Sequence, residues 1–201
     1  MLELGIAGLL IALNGLFALS ELAIVSARKA RLKVMADNGR ASADTALRLA
    51  ESPGRFLSTV QIGITLVGIL AGAFSGAALG ARLAGILETW GLPDGATEPL
   101  GYGVVLGAIT YLSVVVGELV PKHLALKNAE GIACAVAPLM ALLSRIAGPV
   151  VWLLDASTRL IFRLFGQDAG NKNAVTQEEI RTIVAEAETA GVIETDERKM
   201  I

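Results

Sequence analysis

Glu21 and Glu118 are acidic residues set inside long apolar stretches, and each follows a small residue, Ser20 and Gly117 respectively. An ionisable group in such a stretch costs energy and calls for a partner or a task. A third apolar stretch carries Ser58, Gln61 and Thr65, spaced three and four apart and therefore on one helical face. Carboxylates, hydroxyls and amide oxygens suit a hard cation, and no thiolate or imidazole accompanies them. Pro121 adds to this chemistry. It has no N–H, so in a helix the carbonyl four residues back, that of Gly117, loses its partner. A freed carbonyl beside the Glu118 carboxylate offers two oxygen ligands at a broken helix end. The candidate ligands for a metal cation are therefore Ser20, Glu21, Ser58, Gln61, Thr65, Gly117 and Glu118. The competing reading is mutual satisfaction. Ser and Thr can bond back to their own helix, Glu118 can reach Lys122 at i+4, and Glu21 can extend toward Arg28. Pro121 can likewise be a simple helix stop.

Three helices must hold these groups. Leu4 to Ala27 is apolar, preceded by Glu3 and followed by Arg28, Lys29, Arg31 and Lys33. A cleaved signal has the opposite charge order and a shorter apolar core, so this is a retained span. Seven basic residues lie between 28 and 55, whereas 88–98 holds no Lys or Arg. The positive-inside rule places 28–55 in the cytoplasm, 88–98 outside, and the N-terminus outside. The second span runs from Phe56 to about Leu79 or a turn beyond, after the Ser52-Pro53-Gly54 break, and the third from about Leu100 to Val120. Glu21 lies roughly 10 Å from Arg28, Gln61 roughly 9 Å from Arg55 and Glu118 roughly 6 Å from Lys122, at 1.5 Å per residue. All three polar groups fall at one level in the inner half of the bilayer. Gly68, Gly72, Gly76 and Gly80 form overlapping GxxxG steps on the second span, a packing face for the other spans or a second subunit.

From Ile132 to Phe165 the chain is apolar enough for another crossing, but Pro138 and Gly148-Pro149 interrupt it. Asp155, Arg159 and Arg163 form an i, i+4, i+8 polar stripe there, which favours a helix lying in the interface. Thr176-Gln177-Glu178-Glu179 matches a capping box, Gly191 a C-cap, and Thr195-Asp196-Glu197 the start of a second helix that stops at Ile201 after one turn. Such a helix is not stable alone, so the chain reads as the membrane part of a longer protein.

Composition agrees with this class. The 201 residues are 54% hydrophobic and 18% charged, with mean hydropathy +0.63; soluble domains carry about 25% charge. A net charge of −2 without a basic face argues against nucleic acid, and the lone Cys134 excludes an internal disulfide. No hydrolase motif or partner base accompanies Ser75, and His123 is a lone residue at a helix end, so no enzyme is expected. The expected fold is all-α: three transmembrane helices, juxtamembrane or interfacial belt helices, and a cytoplasmic helical linker. The transmembrane domain covers 1–165 and the linker 166–201.

The stretches Asn14-Gly-Leu-Phe-Ala-Leu-Ser-Glu21, Ser26-Ala-Arg28, Gln61-Ile-Gly-Ile-Thr-Leu66 and Val116-Gly-Glu-Leu-Val-Pro-Lys122 resemble the membrane domain of the CorC and cyclin M magnesium transporter family. The tail from Glu178 to Arg198 is similar to that family's linker into a cytoplasmic CBS-pair domain. The resemblance implies a homodimer in the inner (plasma) membrane, with three spans per subunit, an outside N-terminus and a cytoplasmic C-terminus. It implies Mg²⁺ export driven by Na⁺ entry, and an ATP-binding CBS pair beyond Ile201. Ser20, Glu21, Gly117 and Glu118 match its ion-binding motifs. On the second span other branches have asparagines near Ile64, Thr65 and Gly68, where this chain keeps the Thr65 hydroxyl and the Gln61 amide. A magnesium-sensing subunit that controls another transporter is the alternative reading.

Overall fold

The computed structural model describes residues 2–165, all helical apart from short connections. In chain order the helices are α1 (Leu2–Ser26), α2 (Lys29–Asp37), α3 (Ala41–Glu51), α4 (Pro53–Thr89) and α5 (Asp94–Val114). A π-helical turn (Val115–Leu119) leads directly into α6 (Val120–Lys127), followed by α7 (Ala129–Ile146) and α8 (Gly148–Leu164). The tail features read at Thr176, Gly191 and Thr195 lie outside the described residues.

The helix ends follow local chemistry. Pro53 begins α4 at its first turn, where a missing N–H costs nothing. Gly39 and Gly91 have φ of +87° and +83°, the left-handed conformation that closes α2 and α4. In each case two backbone bonds complete the cap: Gly39 to Ala36 at 2.8 Å with Arg40 to Met35 at 3.1 Å, and Gly91 to Glu88 at 3.0 Å with Leu92 to Leu87 at 3.4 Å. At the start of α7 the Asn128 side chain accepts from the Gly131 N–H at 3.2 Å.

Met1–Trp152 and Leu153–Ile201 form two separate units, the division falling inside α8. In the first unit α1 is the central helix, packed against α3, α4, α5, the π turn, α6 and α7. Glu3 at its beginning pairs with Arg82 near the far end of α4 at 3.2 Å, so these ends lie together, away from the basic 28–55 segment. The largest core gathers at the opposite end: Ile24, Leu32, Phe56, Val60, Cys134 and Met140 pack with alanines of α1, α3, α6 and α7. α2 and α3, 9 and 11 residues long, are too short to cross a bilayer. Burying each large side chain in this core contributes about 1.5–3 kcal/mol. Between the spans lipid is as apolar as protein, and close packing of small residues takes over. Gly101 shows it: a Cβ there would lie 2.7 Å from the Gly80 carbonyl oxygen and 2.8 Å from the Ala84 nitrogen.

Three expectations change. Pro121 does not end the third apolar helix; the chain continues helically to Lys127 through the π turn. α4 runs ten residues beyond Leu79, further than the one extra turn expected, to a length of roughly 55 Å. The glycine face is not a continuous ladder. Gly80 meets the Tyr102 ring and Gly72 faces Leu106, while a Cβ on Gly68 or Gly76 would meet nothing within 4 Å.

Among the described residues four stretches are long and apolar enough to cross a membrane by length and composition: Leu2–Ser26, Pro53–Thr89, Gly95–Lys127 and Ala129–Ile146. That is one more candidate than the three spans expected. The fourth, α7, packs on α1, α3, α4 and α6, and its Glu130 pairs with Arg31 of α2 at 3.6 Å. Pro138 is accommodated inside α7, and the break falls at Ala147. In the second unit the described residues are the helical 153–164 and Phe165; Asp155, Arg159 and Arg163 are exposed along its polar stripe.

Candidate functional site

The contact between α1 and the π turn is built on two glycines. A Cβ on Gly15 would stand 3.2 Å from the Pro121 ring, and one on Gly117 would stand 3.2 Å from both the Asn14 amide nitrogen and the Ile11 carbonyl oxygen. Their absence lets the two backbones meet.

The π turn is the answer to Pro121. In a regular α-helix its ring would press on the Gly117 carbonyl and supply it no N–H. Here the helix widens by one residue, and the Val120 N–H bonds five residues back to the Val115 carbonyl. The Gly117 carbonyl is thereby released from the usual ladder but is not left open. It accepts from Asn14 Nδ2 at 3.3 Å, a bond buried between α1 and the turn. This corrects the expectation of an unpartnered carbonyl, because α1 supplies an amide donor at the same height. The side-chain oxygen of Asn14, Oδ1, is buried and has no hydrogen-bond partner. An unpaired buried amide oxygen costs about 1–3 kcal/mol, unless something electropositive comes to it.

Next to this contact lies the charged part. Lys122 Nζ donates to Glu118 Oε1 at 2.7 Å and stands 3.9 Å from Glu21 Oε2 on α1. All three side chains are partly buried, Glu21 the most, at 24% exposure. One ammonium therefore joins two carboxylates carried by different helices. Ser20 is fully buried and its hydroxyl donates to the Leu16 carbonyl at 2.6 Å; its oxygen lone pairs remain available.

The second-span candidates are placed differently. Ser58 is half-buried, and Gln61 and Thr65 are exposed on α4. No hydrogen bond or ion pair joins them to Glu21, Gly117 or Glu118 among the described residues. The depth arithmetic holds nonetheless. A Cβ on Gly63 would come 2.7 Å from Phe17 of α1, which sets Gln61 near the height of Ser20. It is the face that differs: the packed stripe of α4 runs through Val60, the partly buried Ile64, Val67 and Ala71, and Gln61 and Thr65 each fall one residue after a member of it.

The structure thus gathers Glu21, Gly117 and Glu118, and adds Asn14 and Lys122, which the candidate ligand set lacked. Asn14 carried a signal, since it stands seven residues before Glu21 on the same helical face. No group of three or more His, Cys, Asp or Glu side chains suited to a metal occurs among the described residues. Two carboxylates with neutral oxygens are the donor set of a cation that keeps part of its water shell. His123 lies outside the cluster, exposed, with Nδ1 2.8 Å from the Leu119 carbonyl oxygen.

A family model for the cyclin M transmembrane N-terminal domain matches residues 5–197. UPF0053 protein sll0260 of Synechocystis is 48% identical over 200 residues, covering 100% of this chain and 45% of that protein. UPF0053 protein YhdT of Bacillus subtilis is 34% identical over 196 residues, covering 96% and 42%. A polyamine export protein of Haemophilus influenzae is 30% identical over 187 residues, covering 90% and 42%. The chain spans less than half the length of these curated relatives.

Proposed function

Because the chain belongs to the cyclin M transmembrane-domain family, we propose that it is the membrane part of a Mg²⁺ exporter driven by Na⁺ entry. The observation that carries this reading is the position of Lys122, within ion-pair reach of both Glu118 and Glu21. A place that holds one cation between two carboxylates can hold another. Mg²⁺ arriving there displaces the ammonium and draws on Glu118 and Glu21, with the oxygens of their chain neighbours Gly117 and Ser20 as further candidates. Water completes its octahedron, since Mg²⁺ dehydrates reluctantly. Ser58, Gln61 and Thr65 serve as ligands only if α4 turns toward α1 during transport.

In this reading α1, α4 and the α5–α6 helix cross the inner (plasma) membrane, with the N-terminus outside and the C-terminus in the cytoplasm. α7 belongs to a belt with α2 and α3 at the inner surface, as its packing on α3 and its Arg31 pair favour. The exposed Gln61–Thr65 face of α4 meets a second copy in a homodimer. The CBS pair that the resemblance implies lies in the cytoplasm.

A second reading has a specific observation behind it. The group now bridging the carboxylates is a primary ammonium, and one relative is named a polyamine export protein. A polyamine presents the same chemistry. Purified protein in liposomes separates the readings. Dye-reported Mg²⁺ movement that requires Na⁺ supports the first, and radiolabelled polyamine movement without Mg²⁺ flux supports the second. Mg²⁺ binding without flux of either supports a sensing subunit instead.

A further inference from the structure

Away from the carboxylate cluster, a cavity of about 880 Å³ opens where α3, the start of α4 and the end of α7 meet. Its walls include three guanidinium-bearing residues, Arg48, Arg55 and Arg145. Arg48 is paired with Asp44 at 3.0 Å. Arg55 and Arg145 are exposed and have no carboxylate partner among the described residues. Ser144 also lines the cavity; it is only 7% exposed, yet its hydroxyl has no hydrogen-bond partner. Two unpaired guanidiniums and a buried idle hydroxyl around one space form a receptor for an oxyanion, and arginine's planar fork suits phosphate in particular.

The surroundings say where that phosphate comes from. Arg55 immediately precedes the apolar run of α4, in the segment whose positive charge marks the cytoplasmic side. Leu142 lines the cavity, and with Leu139 and Ile146 it leaves an apolar strip of α7 exposed beside Arg145. A basic hollow continuous with an exposed apolar strip matches a molecule with an anionic head and hydrocarbon tails. We infer that this cavity binds the phosphate headgroup of an anionic phospholipid of the inner leaflet, with its acyl chains along α7. Basic pockets between helices on the cytoplasmic side are a recurrent solution to this recognition. The lipid fills the gap between α7 and the start of α4, and so couples membrane composition to the packing of the inner end.

The test is thermal unfolding of the purified protein in detergent with dioctanoyl phosphatidylglycerol, dioctanoyl phosphatidylcholine or inorganic phosphate added. A saturable rise in midpoint with phosphatidylglycerol alone is expected. Arg55→Gln combined with Arg145→Gln should weaken its apparent affinity about twenty-five-fold, from roughly fivefold per basic side chain. Both residues are exposed, so the variant keeps its fold, which an unchanged midpoint without lipid verifies. Ser144→Ala should weaken the affinity less. Arg55→Lys with Arg145→Lys should recover it only in part, because the fork geometry is lost. An equal rise with inorganic phosphate would overturn the lipid assignment. A phosphatidylglycerol effect that survives the double glutamine variant, or no effect at all, would overturn the site.

Discussion

Lys122 reaches two helices at once: its Nζ lies 2.7 Å from Glu118 Oε1 and 3.9 Å from Glu21 Oε2. Four residues separate Lys122 from Glu118 along one helix, but Glu21 comes from α1, so the ammonium ties α1 to α6 through charge. A tether that offsets one of the two negative charges is also a competitor for whatever cation the carboxylates bind. Glu118→Gln keeps the size and removes the charge, and should abolish Mg²⁺-dependent stabilisation and flux. Lys122→Gln removes the competitor and should tighten Mg²⁺ binding by up to about fivefold, the upper end for a partly exposed pair. Titrating Mg²⁺ against the thermal midpoint at constant ionic strength checks both. Undiminished Mg²⁺ binding by Glu118→Gln would refute the site.

The π turn gives a second handle. Pro121→Ala restores an N–H and removes the ring, so the turn can relax to α register. That relaxation rotates Val115–Leu119 against the downstream helix and breaks the Asn14–Gly117 bond. Mg²⁺ affinity should fall, though less than in Glu118→Gln, because both carboxylates remain. Asn14→Ala removes the donor to Gly117 directly and should cost about 1 kcal/mol of stability. A Pro121→Ala protein with full Mg²⁺ affinity would mean that the π turn does not shape the site.

How much of this arrangement was legible beforehand depended on what each residue faces. Charge order located the spans and which ends lie together, and the Glu3–Arg82 pair agrees with it. Rise per residue set Glu21, Gln61 and Glu118 at comparable heights, and the Phe17–Gly63 contact agrees for α1 and α4. The facing of α4 was not legible. In water a polar stripe points outward, but in lipid both sides of a helix are apolar, and small residues choose the packed face. Hence Gly63 and Val60 met α1 while Gln61 and Thr65 did not. Pro121 misled for a different reason. A proline stops an isolated helix, yet a helix held on both sides by packing can widen and carry on. The Asn14–Gly117 bond spans 103 residues of chain, and no local pattern reports such a distance.

The glycines separate into those that touch backbone and those that do not. Gly101→Ala puts a methyl 2.7 Å from the Gly80 carbonyl oxygen, and backbone cannot step aside as a side chain can. The α4–α5 pair should separate, with a loss of about 3 kcal/mol or failure to fold. Gly68→Ala meets nothing within 4 Å and should leave the midpoint in detergent within a degree or two. Equal midpoints for the two variants would contradict the packing described for α4 and α5.

Topology is the remaining claim, and the structure selects the positions that test it. Gly39 is unsuitable for a reporter cysteine, because its φ of +87° strains any side chain. Its neighbour Asn38 is exposed and serves instead, as does exposed Glu88 near the far end of α4. Cys134 is buried in the inner core at 1% exposure, so replacing it with alanine removes background at little cost in packing volume. With three spans and α7 in the belt, an impermeant thiol reagent applied outside intact cells should label Glu88→Cys but neither Asn38→Cys nor Lys172→Cys. Permeabilised cells should label all three. Lys172 lies outside the described residues, and its side of the membrane decides between the two roles left to α7. External labelling at Lys172 together with protection at Asn38 would establish α7 as a fourth crossing. That outcome would contradict the described packing of α7, whose Arg145 end lines one cavity with Arg55 and whose Glu130 end pairs with Arg31.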